Sequence, residues 1–440
     1  MIGQPLTRGQ LAQYSALAVP VSFAGIPLYV LAPDFYATHY GVSLSALGMA
    51  LLALRLIDAV QDPFIGALSD GVFAKRRLPV MISAGVLLVM GFYLLFYPLP
   101  HMPLTWFVVT MLLATTAFST LTINLNTLGA LWRESRHDKT RITATREAFA
   151  LSGLLLAVSL PGILQLHMDP LQAFIWLSLT LAVLMVAGLA LFTMWFGQFG
   201  FTPRRSSPPA SWRTMMTGLS RKTKHFYIIY GVSMLASAIP AILLLFFIRD
   251  RLDGEQYTGA FLLLYFMAGV VGMPLWLKVS KRYGKHRAWM MSMALAVGSF
   301  IWAFWLTQGD LWQYAIICGI SGLALGADLA LPPAILADHI QEQHSETIAA
   351  SHFSVLAFLA KTSLAVGSAT ALPLLSLSGF QPGYNNSQAV LLSLSVAYAL
   401  IPCMIKCIAV MMLWRHISIF NEVYYASHSD TVVVGSSRNA

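Results

Sequence analysis

Residues 54–77 read LRLIDAVQDPFIGALSDGVFAKRR, and this stretch decides both the fold and the place of a polar site. An apolar segment ends there in the basic triplet at 75–77, which is typical of a membrane-spanning helix that ends at the cytoplasmic surface. Asp58 and Asp62 lie inside the apolar segment, where an ionised group is costly unless it is paired or hydrated. The stretch therefore predicts a spanning helix with a functional polar site near its centre.

The whole chain has the composition of an integral membrane protein. Of its 440 residues, 57% are hydrophobic and only 10% are charged, whereas soluble chains have about 25% charged residues. The mean hydropathy is +0.69, and uncharged stretches of about 20 residues recur along the chain. This composition excludes a soluble enzyme, a secreted disulfide scaffold and a disordered chain. It predicts an all-α membrane protein with twelve transmembrane helices, at about 37 residues for each helix and its loop.

One polar connector, rich in Pro, Ser and basic residues, divides this pattern into two halves. We predict an N-terminal six-helix half, a cytoplasmic connector, a C-terminal six-helix half and a cytoplasmic tail, at residues 1–196, 197–225, 226–414 and 415–440. The first apolar stretch contains Pro20, Pro27 and Pro33, which predicts a bent helix packed inside a bundle.

The two halves resemble each other weakly at equivalent positions. The segment PFIG…KRR at 63–77 is matched by PLWL…KHR at 274–287, and ITATR at 142–146 is matched by IAASH at 348–352. The two matches have nearly equal offsets. Two six-helix repeats related by an axis along the membrane normal are typical of the major facilitator fold, in which the substrate site lies between the halves.

The net charge of +9 reflects membrane topology rather than a nucleic-acid partner. Most basic residues lie in short connectors on one predicted side of the membrane, and no basic face studded with aromatic residues accompanies them. The positive-inside rule predicts a cell (inner) membrane protein with both termini in the cytoplasm. Only Arg249 and Arg251 fall in a connector on the opposite side.

The candidate coupling site is a stripe on the second predicted helix, because Arg55, Asp58, Asp62 and Gly66 share one helix face. Two carboxylates one turn apart repel each other, so that either one holds a proton or a cation lies between them. We therefore predict Asp58 and Asp62 as ligands of the coupling ion, Na⁺ or H⁺, and as the metal ligands of the chain. A structural ion pair with Arg55 is the alternative, and it neutralises one carboxylate only.

Two lysines lie within predicted helices of the second half. Lys361 is near the middle of the eleventh helix and needs an anionic partner, for which the Asp58–Asp62 pair is the best candidate. A lysine that competes with a cation for these carboxylates links ion binding to the rocking of the halves; a fixed salt bridge is the alternative. Lys406 lies nearer its helix end and is expected to extend to the membrane surface.

Further polar residues are candidates for solute binding and gating. Arg146 either pairs with the adjacent Glu147 or offers a donor fork to a polar solute. Gly66 and Asp70, followed by the basic triplet, are predicted to act as a gating latch. Asp328, beside a kinked helix, has either a structural or a cavity role. The fourth predicted helix is unusually polar, and we expect part of it to line the cavity: Thr120, Thr122, Asn124 and Asn126.

At these positions the sequence resembles the glycoside–pentoside–hexuronide:cation symporters, the family of the melibiose carrier. The resemblance rests on Arg55-x-x-Asp58-Ala-x-x-Asp62-Pro-x-x-Gly66 and on a similar region from Ala337-Asp338 to Lys361 and Gly367-Ser-Ala, and it extends over about residues 11–414. It implies that Asp58 and Asp62 bind the coupling cation, that Lys361 lies beside them, and that Arg146 contacts a sugar.

The chain departs from the melibiose carrier at two sugar-binding aspartates, where it has Ser22 and Asn124. The resemblance thus implies cation-coupled symport and leaves the solute open between a sugar or glycoside and a lysolipid-like amphiphile, which animal relatives carry. A membrane enzyme is disfavoured by the absence of His-Glu-x-x-His, Gly-x-Ser-x-Gly and Walker motifs. A passive channel does not need a buried carboxylate pair opposed by a lysine. We expect no cofactor and a functional monomer.

Overall fold

The computed structural model describes residues 6–97, 101–165, 169–199, 218–381, 383–384, 386–415 and 417, and within these ranges the chain is helical and contains no strand. Eleven helices among these residues are long and apolar enough to cross a membrane. A further helix, Leu44–Asp70, has 27 residues, which also suffices to span the hydrocarbon core. The predicted all-α fold with twelve transmembrane helices is therefore confirmed.

We number the spanning helices α1 to α12. The helices of the first half are α1 (Arg8–Ser15, Ala18–Ile26, the π-helical turn Pro27–Leu31 and Ala32–Tyr40), α2 (Leu44–Asp70), α3 (Arg77–Leu95), α4 (Pro103–Trp132), α5 (Arg136–Gln165) and α6 (Pro170–Phe199). Those of the second half are α7 (Arg221–Phe246, continued by the π-helical turn Phe247–Arg251), α8 (Thr258–Tyr283), α9 (Lys285–Phe300, continued by the 3-10 turn Ile301–Trp305), α10 (Leu311–Glu342), α11 (Ala349–Leu377) and α12 (Gln388–Arg415).

The helices beside the predicted connector are longer than the sequence indicated. α6 continues to Phe199, and α7 begins at Arg221, where the Ser220 hydroxyl accepts a hydrogen bond from the backbone N–H of Thr223. A serine cap of this kind fixes a helix start that hydropathy alone does not locate. Residues 200–217 of the connector, and nearly all of the predicted tail, lie outside the described residues, so the domain boundaries stay predictions.

One of the three prolines of α1, Pro27, coincides with a change in the hydrogen bonding of the helix. Pro27 begins a π-helical turn that ends at Leu31 and interrupts the regular hydrogen bonding of the helix. Such turns are often found at functional sites because they change the direction of a side chain. Here the turn contains Tyr29, whose hydroxyl donates a hydrogen bond to Asp58 in α2. The break in α1 thus positions one side of the polar site.

Each half has its own apolar core. In the first half Tyr14, Trp132 and Trp195 pack with ring centroids 4.9–5.4 Å apart. In the second half the rings of Phe247 and Tyr398 stack at 4.1 Å. A smaller apolar cluster joins the halves, in which Leu151 of α5 packs with Met273 of α8 and Ala330 of α10.

The C-terminal ends of α2, α4, α8 and α10 lie on one side of the bundle, which we call the basic end. We call the opposite side the far end. At the basic end, Arg136 of α5 donates to Glu342 of α10 at 2.6 Å. Nearby, the ammonium of Lys139 donates to the backbone carbonyl of Ala337 at 2.8 Å. Among the described residues, no hydrogen bond joins the two halves at the far end.

The exposure of side chains on one face of α11 increases from the basic end toward the far end. Ser354, Lys361 and Leu372 lie on one stripe of the helix. Ser354 is fully buried, the Lys361 side chain is 20% exposed, and Leu372 is 40% exposed. The face that packs against α2 near the basic end is therefore open toward the far end. From this exposure and from the hydrogen bonds at the basic end, we infer a cleft between the halves that is closed at the basic end and open at the far end.

Candidate functional site

Lys361 of α11 crosses the interface and contacts both predicted carboxylates of α2. Its ammonium lies 2.9 Å from Asp58 Oδ1 and 2.8 Å from Asp62 Oδ1. It also donates to the Ser119 hydroxyl of α4 at 2.7 Å and to the backbone carbonyl of Asp58 at 3.2 Å. The structure thus brings the predicted lysine and aspartates together, and one positive charge faces two negative charges.

The two carboxylates differ in how completely they are hydrogen bonded. Asp58 accepts from the Tyr29 hydroxyl at 2.9 Å and from the Gln61 amide at 2.8 Å, in addition to the lysine. Asp62 is fully buried, and its Oδ2 atom has no hydrogen-bond partner among the described residues. A buried acceptor without a donor is costly. Asp62 Oδ2 is therefore the atom of this site that most needs a proton or a cation.

Sequence analysis missed the neutral residues that complete this site. Tyr29 and Gln61 bind Asp58 directly, and Thr116 of α4 donates to Gln61 Oε1 at 2.9 Å. Ser119 lies between Lys361 and Asp58. The unusual polarity of α4 could have indicated Thr116 and Ser119, but the polar residues predicted to line the cavity began one position later, at Thr120.

The donor set fits a small hard cation or a proton. Within the described ranges, no group of three or more His, Cys, Asp or Glu side chains is arranged to hold a metal ion. The two carboxylates are accompanied instead by hydroxyl, amide and backbone oxygens. Oxygen ligands of this kind suit hard cations rather than copper, zinc or iron.

Arg55 does not form the ion pair that was the structural alternative for the aspartates. Its side chain is exposed, and it makes no hydrogen bond or ion pair with any described residue. It precedes Asp58 by about one helical turn toward the far end, and it lies within electrostatic range of the Tyr29 hydroxyl. Lys361, rather than Arg55, is the cationic partner of both carboxylates.

The three predicted solute residues lie at different depths. Ser22 is partly exposed on the α1 face that also carries Ile26 and Tyr29. Arg146 is 5% exposed, pairs with Glu147, and reaches the hydroxyl of Tyr14. Tyr14 precedes Ser22 by eight residues, or about 12 Å along a helix. Ser22 thus lies in the open part of the cleft, and Arg146 lies in the closed part nearer the basic end.

Asn124 lies inside the first half. Its side chain is fully buried and donates to the Ser69 hydroxyl of α2 at 2.9 Å and to the Thr120 carbonyl at 2.9 Å. Its side-chain oxygen, Oδ1, has no hydrogen-bond partner within the described ranges. In this state the Asn124 amide joins α2 to α4, and its predicted contact with solute stays a prediction.

Asp70 joins the halves at the basic end. Its carboxylate accepts from the backbone N–H groups of Ala350 and Ser351 at 2.9 and 2.7 Å. These groups are in the first turn of α11, so an aspartate of the first half caps a helix of the second. Arg77 also donates to this carboxylate, at 3.2 Å.

Gly66, about one turn before Asp70 in α2, allows α2 and α11 to approach each other closely. A Cβ atom at this position would lie 2.5 Å from the Ser354 hydroxyl oxygen and 2.9 Å from the Ala350 carbonyl oxygen. No side chain fits there without a shift of α2 or α11. Gly66 and Asp70, the predicted latch, thus both contact the same end of α11.

The prediction that Lys406 extends to the membrane surface is wrong. Its side chain is buried, and its ammonium lies 2.6 Å from Asp328 Oδ2 and 3.0 Å from the Ser237 hydroxyl. The Trp289 indole donates to the other oxygen of Asp328 at 2.9 Å. Asp328 is 78 residues away in the sequence, so local reasoning about α12 did not find the partner that holds this lysine inside.

Comparison with known proteins gives a family that agrees with this geometry. The family model described as MFS/sugar transport protein matches residues 13–419. The glucuronide carrier protein homolog of Escherichia coli (strain K12) is 22% identical over 428 residues, which cover 94% of this chain and 93% of that protein. The uncharacterized symporter YnaJ of Bacillus subtilis (strain 168) is 20% identical over 409 residues, covering 88% and 86% of the two chains.

Solved structures show the same fold at low sequence identity. A bacterial homologue of the iron transporter ferroportin, in an outward-facing state, matches with a TM-score of 0.66 and 14% identity, over 92% of this chain and 99% of that chain. The major facilitator superfamily transporter FucP, in the outward conformation, matches with a TM-score of 0.61 and 14% identity, over 91% and 99% of the chains. The chain is therefore a multi-pass membrane transporter and not an enzyme, and it belongs to the MFS/sugar transport protein family, in agreement with its resemblance to the glycoside–pentoside–hexuronide:cation symporters.

Proposed function

We propose that the protein is a cation-coupled secondary symporter that moves a sugar, glycoside or similar organic solute by alternating access. One observation carries the proposal: a lysine of the second half holds both carboxylates of a stripe in the first half, at 2.9 and 2.8 Å. The names of two relatives, a glucuronide carrier homolog and a symporter, support it. Asp58 and Asp62 are the proposed ligands of Na⁺ or H⁺, and the protein needs no other cofactor.

The coupling step follows from the charges at this interface. Without a cation, Lys361 neutralises one of the two negative charges and ties α11 to α2. A cation bound at Asp62 Oδ2 and the neighbouring oxygens replaces the lysine and removes this tie between the halves. A ligand shifts a conformational equilibrium only through its different affinity for the two states. Competition between Lys361 and the cation provides that difference.

The solute is proposed to bind in the cleft between the halves. Ser22 lines the part that is open in this state. Arg146 lies in the closed part and becomes accessible when the basic end opens, where its guanidinium contacts the solute if Glu147 and Tyr14 release it. Gly66 and Asp70 are the proposed gate, because the cap on α11 must break for that end to open.

We place the basic end in the cytoplasm of the cell membrane, with both termini on that side, because most basic residues flank it. The cleft in this state is then open to the outside. The two six-helix halves, proposed at residues 1–196 and 226–414, move as the two bodies of a monomer.

Reconstituted protein tests the proposal directly. Counterflow in proteoliposomes is measured over a panel of sugars, glycosides and lysolipids, with and without Na⁺ and with and without a pH gradient. We expect a sugar or glycoside to be exchanged and its accumulation to require one of the two ion gradients. Exchange of lysolipids alone, or accumulation that is independent of both gradients, contradicts the proposal.

A further inference from the structure

The contact between α5 of the first half and α8 of the second half changes from apolar to basic toward the basic end. Ala144 of α5 and Leu277 of α8 belong to the apolar cluster that joins the halves. About one turn closer to the basic end, on the same faces of the two helices, the chain has Arg141 in α5 and Lys281 in α8. Two cationic helix ends therefore meet where the apolar contact stops.

The cations of the two halves lie within electrostatic range of one imidazole, that of His137. Its ring is within range of Arg141 in its own helix and of Lys281 and Lys285 in the second half. Arg141 is 3.5 Å from Asp138 Oδ1 and stays 31% exposed. Lys281 is exposed and has no hydrogen bond or ion pair with the described residues. We call the meeting place of His137, Arg141 and Lys281 the basic seam. Its positive charges belong to opposite halves and repel each other, so that an anion between them stabilises the closed basic end.

Two carboxylates of α10 at this end already hold other cations. Asp338 Oδ2 lies 2.6 Å from the ammonium of Lys285, and Asp338 Oδ1 lies 3.9 Å from that of Lys139. Glu342 accepts a hydrogen bond from Arg136 at 2.6 Å. Two buried lysines thus share one carboxylate, and these acids leave the positive charge of the basic seam uncompensated.

The outer face of α8 shows which anion reaches the basic seam. Val271 and Leu275 are 65% and 47% exposed, and an exposed apolar stripe on a spanning helix near the closed end faces lipid. The same stripe continues with Lys278 and Arg282, which are also exposed. An apolar stripe that ends in cations matches a lipid, whose acyl chains are followed by a charged headgroup. Lys281 lies between these two cations in the sequence, so a headgroup at this level is within reach of the basic seam.

We propose that the basic seam, together with Lys278 and Arg282, binds the phosphate of an anionic phospholipid whose acyl chains lie along the outer face of α8. The phosphate accepts hydrogen bonds from Arg141 of the first half and from Lys281 of the second, and it thereby ties α5 to α8. Anionic lipids are concentrated in the cytoplasmic leaflet, which is the side proposed for the basic end.

The bound lipid favours one state of the transporter. When the basic end opens, α5 and α8 separate there, and one headgroup no longer reaches the cations of both halves. A ligand that binds one state better shifts the equilibrium toward that state. Anionic lipid therefore stabilises the state that is closed at the basic end, whichever solute and ion are carried.

The test measures how lipid charge changes access to the closed basic end. Ser354 is buried where α11 packs against Gly66 of α2, so a Ser354→Cys reporter reacts with N-ethylmaleimide only when this end opens. The full chain is placed in nanodiscs of phosphatidylcholine alone, or of phosphatidylcholine and phosphatidylglycerol in equal amounts. The protein without the reporter gives the background from its native cysteines. We expect phosphatidylglycerol to slow labelling by about 5-fold or more, which corresponds to one basic side chain at an anionic surface.

Variants of Lys281 distinguish a bound headgroup from a general effect of the lipid. Lys281→Gln should lose most of the lipid effect, and in phosphatidylcholine alone it should label more slowly than the unaltered reporter because the repulsion across the seam is relieved. Lys281→Glu supplies the negative charge itself, so that labelling is slow in both lipids. The matched control is Lys75→Gln, which removes an exposed lysine of the basic end that follows α2 and should keep the full lipid effect.

Each alternative outcome overturns the lipid site. Equal slowing in every reporter shows a general effect of surface potential on the thiol, and no slowing in any reporter shows that no headgroup holds the seam. Equal slowing by inorganic phosphate in phosphatidylcholine nanodiscs overturns the assignment to a lipid.

A second measurement needs no reporter. Phosphatidylglycerol added to the detergent-purified chain should raise its thermal unfolding midpoint more than it raises that of Lys281→Gln, and equal shifts contradict the site. None of these measurements involves transport, so their failure leaves the proposed symport untouched.

Discussion

Two lysines, Lys361 and Lys406, hold buried carboxylates at similar distances, yet they join different parts of the molecule. Lys361 connects α11 of the second half to Asp58 and Asp62 of the first. Lys406 connects α12 to Asp328 of α10, within the second half. In the proposed alternating access, rocking of the halves changes the contacts of Lys361 and can leave those of Lys406 intact.

The surroundings of Lys361 and Lys406 also differ in their exposure and in how completely the carboxylates are hydrogen bonded. The Lys361 side chain is 20% exposed, and the Lys406 side chain is 7% exposed. Both oxygens of Asp328 have donors, whereas Asp62 has one oxygen without a partner in the part of the chain that the structure describes. A fully satisfied buried network makes a structure rigid. The difference teaches that a free acceptor and partial exposure, rather than burial of charge, distinguish the proposed coupling site from the pair within the second half.

The largest effect on transport is expected from Asp62→Asn. The substitution keeps the volume and one carbonyl oxygen but removes the charge at the unpartnered atom, so cation-driven accumulation falls about 10-fold to 100-fold. Folding survives because removal of a buried charge lowers the desolvation cost. Uptake with and without each ion gradient measures the effect, and Asp34→Asn, on an exposed residue of the far end, is the control. A well-expressed Asp62→Asn protein with unchanged ion dependence contradicts a coupling role.

Lys361→Ala is expected to separate two activities. Without the lysine, two like charges stay unopposed when the cation leaves, and they cannot both stay ionised cheaply. Active accumulation therefore falls, though less than in Asp62→Asn because both carboxylates remain, while equilibrium exchange of solute is partly kept because the cleft itself is intact. Uptake and exchange are measured side by side in the same proteoliposomes. Normal accumulation in Lys361→Ala removes this residue from the mechanism.

Lys406→Ala is the variant that matches Lys361→Ala, and we expect it to lower the stability of the protein rather than change its ion coupling. Loss of one partner leaves Asp328 as an uncompensated buried charge, which costs about 3–5 kcal/mol. The thermal unfolding midpoint of the purified protein should fall, and the double variant Lys406→Met with Asp328→Leu should recover most of the loss. The ion dependence of residual transport stays as in the wild type. A stable Lys406→Ala protein with altered ion dependence contradicts the assignment of this pair to structure.

The same contrast shows how far sequence reasoning reaches. Charges inside apolar helices are rare, so Asp58, Asp62 and Lys361 stand out, and the structure brings them together. Sequence could not show which aspartate keeps a free oxygen, because two of the neutral donors that satisfy Asp58, Tyr29 and Ser119, come from other helices. The prediction for Lys406 failed because closeness to a helix end indicates that a lysine side chain extends to the membrane surface only when no buried partner holds it inside. The fold follows from hydropathy, whereas the partners depend on packing.

The smallest effect is expected from Asp70→Asn, which weakens the proposed gate without touching either lysine. The amide oxygen still accepts one backbone N–H of the first turn of α11, but the charge that favours the helix N-terminus is lost. Weakening of a helix cap costs about 0.5–2 kcal/mol, which shifts the equilibrium a few-fold to about 30-fold toward the state that is open at the basic end.

Ser354 is fully buried in the closed state, so a Ser354→Cys reporter can measure the shift by maleimide labelling from that side. Labelling should be faster with Asp70→Asn than without it, and Asp34→Asn should leave the rate unchanged. Equal rates in all three reporters would show that the Asp70 cap does not hold the basic end closed, and the tie between the halves would then rest on Lys361 and on the Arg136 and Lys139 contacts with α10.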